Sequence, residues 1–325
     1  MNEMYEWHKN IQSIVDEMDG CIKRHEDEAL TLHALSHKLG YSEYYTTRKF
    51  KEIAHMSFRE YLRRRRLAFA LIEVRDSERE LLDIALDYGF SSHEAFTRAF
   101  KETYGMNPSE YRKNPIPLVL RTKITPFDRY FLGMDEIGMV KSDDEIKIYF
   151  VTIPAHKYLH IKNYESNGYW SFWQIHGQIE GQDCETICGL LDSIKGKLDD
   201  EGGREPNSSS GHVMAYINDS RGFDCGYGTA RAESYGVRLP EDYEGEIPSQ
   251  MSIMDVPEGE YIVFEHGPFD YEQENRSVEN QIEKAMADFD YSSTGYAFDD
   301  SEGRVAYLYH DPARFWKYIK PVKRV

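Results

Sequence analysis

Residues 47–52 read TRKFKE and residues 97–102 read TRAFKE. The correspondence runs on past both copies, with Met56 answering to Met106, Glu60 to Glu110 and Tyr61 to Tyr111. Upstream it pairs Gly40 with Gly89 and Ser36 with Ala85, one residue out of step with the later pairs. Self-similarity of this kind marks a supersecondary unit that occurs twice. The repeat therefore limits residues 31–113 to an architecture that can be built in duplicate.

The first copy spells out its own elements. Thr31 can cap a helix at 32–39, with Leu32, Leu35 and Leu39 at helical spacing and Gly40 ending it. Ser42 can cap a second helix running to about Ile53, which makes the unit helix, tight turn, helix. Ser57 with Glu60, and Asn107-Pro108-Ser109-Glu110 in the other copy, read as capping boxes. Between the copies, 58–75 reads as one helix with Leu62, Leu67, Leu71 and Val74 turned inward.

A helix-turn-helix unit reads DNA by placing its second helix in the major groove. The second helices are predicted at 43–53 and 92–103. Arg48 and Arg98 hold the same position in each, and arginine there can bond guanine O6 and N7 with two hydrogen bonds. Tyr44, Tyr45 and Thr47, with His93, Glu94 and Thr97, sit near enough to the helix starts to touch bases. Lys49, Lys51, Lys101, Arg63 and Arg64 are the phosphate-holding candidates, which add affinity without sequence information. With Ser91 as cap, Glu94 would fall at the third helical position and serve a capping box instead of a cytosine. Phe50, Phe96 and Phe100 read as core.

Charge agrees once the chain is divided. The 325 residues carry a net charge of −18, which would disfavour a polyanion. Residues 1–117 hold 18 Lys+Arg against 20 Asp+Glu, however, and 118–325 hold 21 against 37. Within the first part, 38–66 has nine bases against three acids. The positive charge lies inside the repeat.

The stretches GYS…TRKFKE and ALDYGFSSHEAFTRAFKETYGMNPSEYR, closing on Gly105 to Arg112, resemble the DNA-binding domain of AraC/XylS transcription regulators. The resemblance covers residues 31–113. It implies a bihelical DNA reader of seven helices, the first supplied by about 4–24 with Trp7, Ile11, Ile14, Val15 and Met18 inward.

After Asn114-Pro115-Ile116-Pro117 the pattern changes to strands at 146–153, 156–163, 213–218, 232–239, 250–256 and 260–266. Helices are expected around Trp170–Leu191 and 273–288, and a final strand region closes the chain. The polar run DDEGGREPNSSSGH reads as a loop. Strand, helix, strand, strand appears twice. Domains are therefore expected at 1–114 and 146–325, with 115–145 as linker and entry to the second. The fold class is a multidomain one: an all-α double helix-turn-helix domain followed by an α+β domain with two pseudo-symmetric halves.

IPAHKYLHIKNYES, EYIVFEHGPFDY and YHDPARFWKYIKPVKR resemble the GyrI-like effector-binding domain found in Rob-like regulators. That resemblance implies a small-molecule cleft between the halves, lined by aromatics and a carboxylate that attracts lipophilic cations. RVAYLYHDP lacks the acid the family often carries near Ala306, leaving Glu265 as a substitute. Trp170, Trp173, Tyr216, Tyr235, Tyr309 and Trp316 are the aromatic candidates for the effector, each with ordinary core packing as the competing role.

Together these readings predict a ligand-responsive regulator whose partners are double-stranded DNA, RNA polymerase and an aromatic or cationic small molecule. A rival reading is a GyrI-like hydrolase fused to a DNA-binding domain, with Glu265 and either His266 or Tyr309 as acid and base. No motif requires a cofactor. Cys184 and Cys188 lack the second pair a metal site would want, and Cys21 and Cys225 stand apart. No apolar run approaches the roughly 18–20 residues of a membrane span, and the N-terminal residues lack a signal pattern, so a cytoplasmic location is expected. Two readers in one polypeptide make a monomer sufficient without forbidding a dimer.

Overall fold

The computed structural model describes residues 3–26, 30–124, 126, 146–199, 211–224, 230–271, 274 and 276–325. Most of the expected loop DDEGGREPNSSSGH, most of the expected 115–145 linker and Cys225 lie outside these residues. The described chain divides into two compact units. One holds the residues up to 126 together with Glu185–Ile194; the other holds 146–184, 195–199 and the residues from 211 onward.

The first unit begins with seven helices: α1 Glu3–Arg24, α2 Leu32–Lys38, α3 Glu43–Ala54, α4 Phe58–Asp76, α5 Leu81–Asp87, α6 His93–Tyr104 and α7 Pro108–Lys113. Their starts are chemically fixed. The side chains of Thr31, Ser42, Ser57 and Ser92 each accept a hydrogen bond from a backbone N–H in the first turn, satisfying donors a helix start leaves open. The cap of α6 is therefore Ser92, not Ser91, and Glu94 falls at the second helical position. One core runs through all seven helices, from Trp7, Ile11 and Met18 through Phe50, Tyr61 and Leu71 to Phe96, Phe100 and Tyr111.

A segment from the later sequence completes this unit. Helix α9, Cys184–Ser193, is held by Arg75, whose Nη1 donates to the Ser193 carbonyl at 2.5 Å. The chain at Leu118 and Leu120 also donates its N–H groups to Ser193 Oγ and the Gly189 carbonyl.

The second unit is an antiparallel sheet with helices on one face. Its strands are β1 Lys147–Ile153, β2 His156–Asn163, β3 His212–Asp224, β4 Ala230–Pro240, β5 Ser252–Val256, β6 Gly259–His266, β7 Tyr296–Phe298, β8 Val305–Asp311 and β9 Phe315–Arg324. They lie in the order β1-β6-β9-β8-β3-β4-β2-β5, with β7 on β9. Helix α8, Tyr169–His176, follows β2, and α10, Ser277–Asp288, follows β6. Strand, helix, strand, strand thus recurs in order, as β2-α8-β3-β4 with α9 intervening and β6-α10-β8-β9 with β7 intervening.

Period-2 alternation sorts the side chains between two faces. Ile262, Phe264, Trp316 and Val322 pack under Val278, Ile282 and Met286 of α10. Tyr158, Val213, Val263, Tyr307, Tyr309 and Ile319 share a second core on the opposite face. The sheet curls around that second face. His156 Nε2 and Tyr307 Oη lie 2.7 Å apart, although β4 and β3 separate their strands and a flat sheet would hold them roughly 14 Å apart.

Candidate nucleic-acid interface

Each helix-turn-helix is closed by the same hydrogen bonds. In the first, Gly40 N donates to His37 O and Tyr41 N to Ser36 O; in the second, Gly89 N donates to Leu86 O and Phe90 N to Ala85 O. Gly40 and Gly89 have φ of 75° and 72°, where a side chain would be strained. Inward from the turns, Phe50 and Phe100 are fully buried, each against its own tyrosine, Tyr61 or Tyr111.

What remains outside is the candidate face for DNA. Arg48 and Arg98 are both exposed, and among the described residues neither has an ion-pair partner. Tyr44 is 80% exposed at the second turn-facing position of α3. Thr47 is exposed, but its hydroxyl is committed to the Glu43 carbonyl at 2.7 Å. Thr97 is half-buried, with its oxygen inside. His93 opens α6 and is half-buried. Glu94 is exposed; its own backbone N–H and then the Ser92 hydroxyl hold its carboxyl below the usual range. Tyr45 is half-buried, its ring against Trp7 at 5.1 Å.

A helix-turn-helix domain model matches residues 35–114. The regulatory protein SoxS of Escherichia coli K12 is 37% identical over 101 residues, which is 31% of this chain and 94% of SoxS. The chain belongs to the AraC family of transcription regulators. The right origin-binding protein of E. coli K12 is 38% identical over 94 residues, covering 29% of this chain and 32% of that protein. Over 55% of this chain and 99% of the other, the solved C-terminal domain of EcmrR is similar at 13% identity and a TM-score of 0.33. This chain is a DNA-binding regulator of the AraC type, and among its described residues no helix is long and apolar enough to cross a membrane.

The AraC-type unit distributes its basic residues unevenly. Lys51 and Lys101 are exposed, whereas Lys49 pairs with Glu52 at 3.3 Å. Arg63 and Arg64 converge on Glu60, and the Arg63 hydrogen bond foremost among them holds the Glu60 carboxyl low. Arg65, one residue on, faces inward instead: it is fully buried and forks onto Asp19 of α1. The signal within the run of four arginines is helical phase: Arg65 lies three residues after Leu62, on the side already turned inward.

In the second unit the seven effector candidates fall into three groups. Trp173 and Tyr235 meet at 4.9 Å beneath α8, near His212; Trp170 is on the same helix, exposed, and Tyr216 is half-buried on the same sheet face. Trp316 is buried by Phe269 and His310 on the α10 side. Glu265 and Tyr309 alone project to the opposite, curled face, opposite Lys317 in neighbouring strands.

Glu265 accepts from Tyr149 Oη at 2.6 Å and pairs with Lys317 at 3.0 Å. Burial pushes its carboxyl up, but Tyr149, Lys317 and Lys147 outweigh it and keep the group below the usual range. His266, its sequence neighbour, is buried on the other face. The Glu265–His266 pairing expected of a hydrolase is therefore not formed: adjacent strand residues point oppositely. Tyr309 donates to Asp199 at 2.7 Å, and Asp199 also holds Arg238. Sequence reasoning missed Asp199, Arg238, His156, Tyr158 and Tyr307, which join Tyr309 on this face. The odd-even alternation of HKYLHIKN placed His156 and Tyr158 together, but not beside β8, since their meeting depends on curl.

Proposed function

We propose that α3 and α6 read two sites on one operator duplex through Arg48 and Arg98, that the second unit is a GyrI-like sensor of a small aromatic molecule, and that the bound molecule changes recruitment of RNA polymerase. The observation that carries the DNA reading is the equivalence of two exposed guanidiniums, neither in an ion pair among the described residues, at one position of a duplicated unit. Tyr44, His93 and Glu94, at the starts of the same two helices, would meet base edges. Lys51 and Lys101 are free to hold phosphate, while Arg63 and Arg64 would exchange Glu60 for it and Lys49 would exchange Glu52.

For the effector, the curled face gathers tyrosine rings, as small-molecule sites often do; the hydroxyls of Tyr149, Tyr158, Tyr307 and Tyr309 bond Glu265, Ser234, His156 and Asp199, so a ligand would have to exchange those bonds. Its carboxylates Glu265, Asp199 and Asp311 already carry Lys317, Arg238 and Arg314, which favours an uncharged aromatic ligand over a cation. Whatever binds must favour one state of the regulator over the other, because equal affinity shifts nothing.

The test is selection from a duplex pool with a randomised core, using the full chain. Arg48→Ala and Arg98→Ala should each relax the preference at a different base pair, at a cost of about 1–3 kcal/mol. An unchanged preference in both variants would overturn the assignment. For the sensor, an uncharged aromatic probe should bind more tightly than its quaternary-ammonium analogue, followed by titration calorimetry; the reverse order would refute the charge argument.

A further inference from the structure

The first reader has an aromatic brace that the second lacks. Trp7, buried in α1, lies 4.6 Å from Tyr41 and 5.1 Å from Tyr45 between ring centroids. Tyr41 and Tyr45 are 6.1 Å apart, and Tyr41 Oη donates to Glu6 at 3.0 Å. The exposed end of this stack carries the guanidinium of Arg48, 5.0 Å from the Tyr45 ring centroid. That distance lies within the roughly 6 Å over which a ring face attracts a cation. The equivalent of Tyr45 in the second copy is Ala95, and among the described residues no ring stands against Arg98.

We infer that Tyr45 is a positioning residue for Arg48 and not a reader of bases itself. An arginine side chain loses rotamer entropy when it is fixed, and preorganisation reduces that cost at binding. Tyr45 cannot swing out to a base without leaving Trp7, because it is half-buried there; Tyr44, its exposed neighbour, has no such restraint. Helix α1, which lies outside the helix-turn-helix, thus sets base discrimination at one half of the operator through Trp7 and Tyr45. The inference rests on Arg48 reading a base.

The experiment is the same randomised-duplex selection, followed by titration of the best duplex and its single-base-pair variants. Tyr45→Leu keeps an apolar side chain against Trp7 but removes the ring face. It should lower discrimination about three- to tenfold at the base pair that Arg48→Ala affects, as expected for a partly desolvated cation–ring contact. Discrimination at the pair assigned to Arg98 should stay as it was. Tyr45→Phe, which restores the ring without the hydroxyl, should restore the preference. Tyr45→Leu in an Arg48→Ala background should cause no further loss at that pair.

Retained discrimination in Tyr45→Leu would overturn the brace while leaving Arg48 as reader. A new preference lost in Tyr45→Phe would show the hydroxyl touching a base and overturn it as well. If Arg48→Ala itself leaves preference intact, the base-reading assignment falls and the brace with it. Thermal unfolding of each variant separates these outcomes from a loss of fold.

Discussion

The two helix-turn-helix copies share a frame and differ in what surrounds it. Both close with the same turn hydrogen bonds, both bury a phenylalanine against a tyrosine, and both present an arginine at the same helical position. The first copy, however, leans on α1: Trp7 backs Tyr45, and Asp19 receives Arg65 from α4. Tyr61 Oη in that copy accepts from the Ile124 N–H at 3.1 Å, while Tyr111 Oη in the second has no hydrogen-bond partner among the described residues. Burial drives both phenols up to about 12. The comparison teaches that one frame holds both arginines alike, while α1 adds to the first copy contacts that Ala95 and Pro115, at the equivalent positions of the second, cannot make.

The largest expected effect tests that dependence. Arg65 is fully buried and its fork is matched to Asp19, with a further bond from Nη1 to the Arg121 carbonyl at 2.6 Å. Position 115, fifty residues after Arg65, is a proline beyond α7, so the second copy has no equivalent. Removing one partner of a buried ion pair strands the other charge, and typically costs about 3–5 kcal/mol. Asp19→Ala should lower the stability of the first unit by that much in urea unfolding followed by circular dichroism. A loss below about 1 kcal/mol would mean that Arg65 finds water or another acceptor, and that the first copy is as self-sufficient as the second.

Smaller effects separate reading from holding. Arg48→Ala and Arg98→Ala should differ in which base pair loses its preference, each by about 1–3 kcal/mol. Lys51→Ala and Lys101→Ala should instead weaken all duplexes alike and reduce the salt dependence by about one counterion each. Base-specific loss in a lysine variant would break the division between the two roles.

How much of this was legible in the sequence follows from the range of the forces involved. Caps, turns and helix spans rest on residues three or four apart, so Ser42, Gly40 and the Asn107-to-Glu110 box could be read directly; of the Ser57-to-Glu60 box only the Ser57 cap forms, because the Glu60 carboxylate turns to Arg63 and Arg64. The strands at 156–163 and 260–266 were legible for the same reason, as alternation is local. Ser91 against Ser92 was not, since either serine can cap and the choice depends on how Phe90 and Phe96 settle into the core. Nor could the sequence reveal that Trp173 and Tyr309 lie on different faces, or that Lys317 would meet Glu265. Those facts depend on register across strands and on curl, which are set by contacts distant in the chain. Among the candidates for DNA contact, the exposed arginines were legible because a repeat marks equivalent positions. The packing of Tyr45 was not, because its partner Trp7 stands outside the repeat.

The smallest expected effect concerns how the two reading helices end. Helix α3 terminates at His55 with φ of 55°, and α6 at Gly105 with φ of 80°. Both residues occupy the left-handed region, and they are equivalent positions of the repeat. An L side chain there costs roughly 1–2 kcal/mol, which glycine avoids; glycine in turn gives up some entropy of the unfolded chain. A Cβ added at Gly105 would meet nothing within 4 Å, so Gly105→Ala should cost only the backbone term, about 1 kcal/mol. His55 is exposed, and His55→Gly should gain about 0.5–1 kcal/mol by the same balance. In thermal unfolding these amount to shifts of a few degrees in opposite directions. Equal and opposite shifts would mean that the two helix ends differ only in the residue each copy acquired. A loss of stability in His55→Gly would mean instead that the imidazole makes a contact in the first copy that outweighs its backbone strain, another respect in which that copy relies on its surroundings.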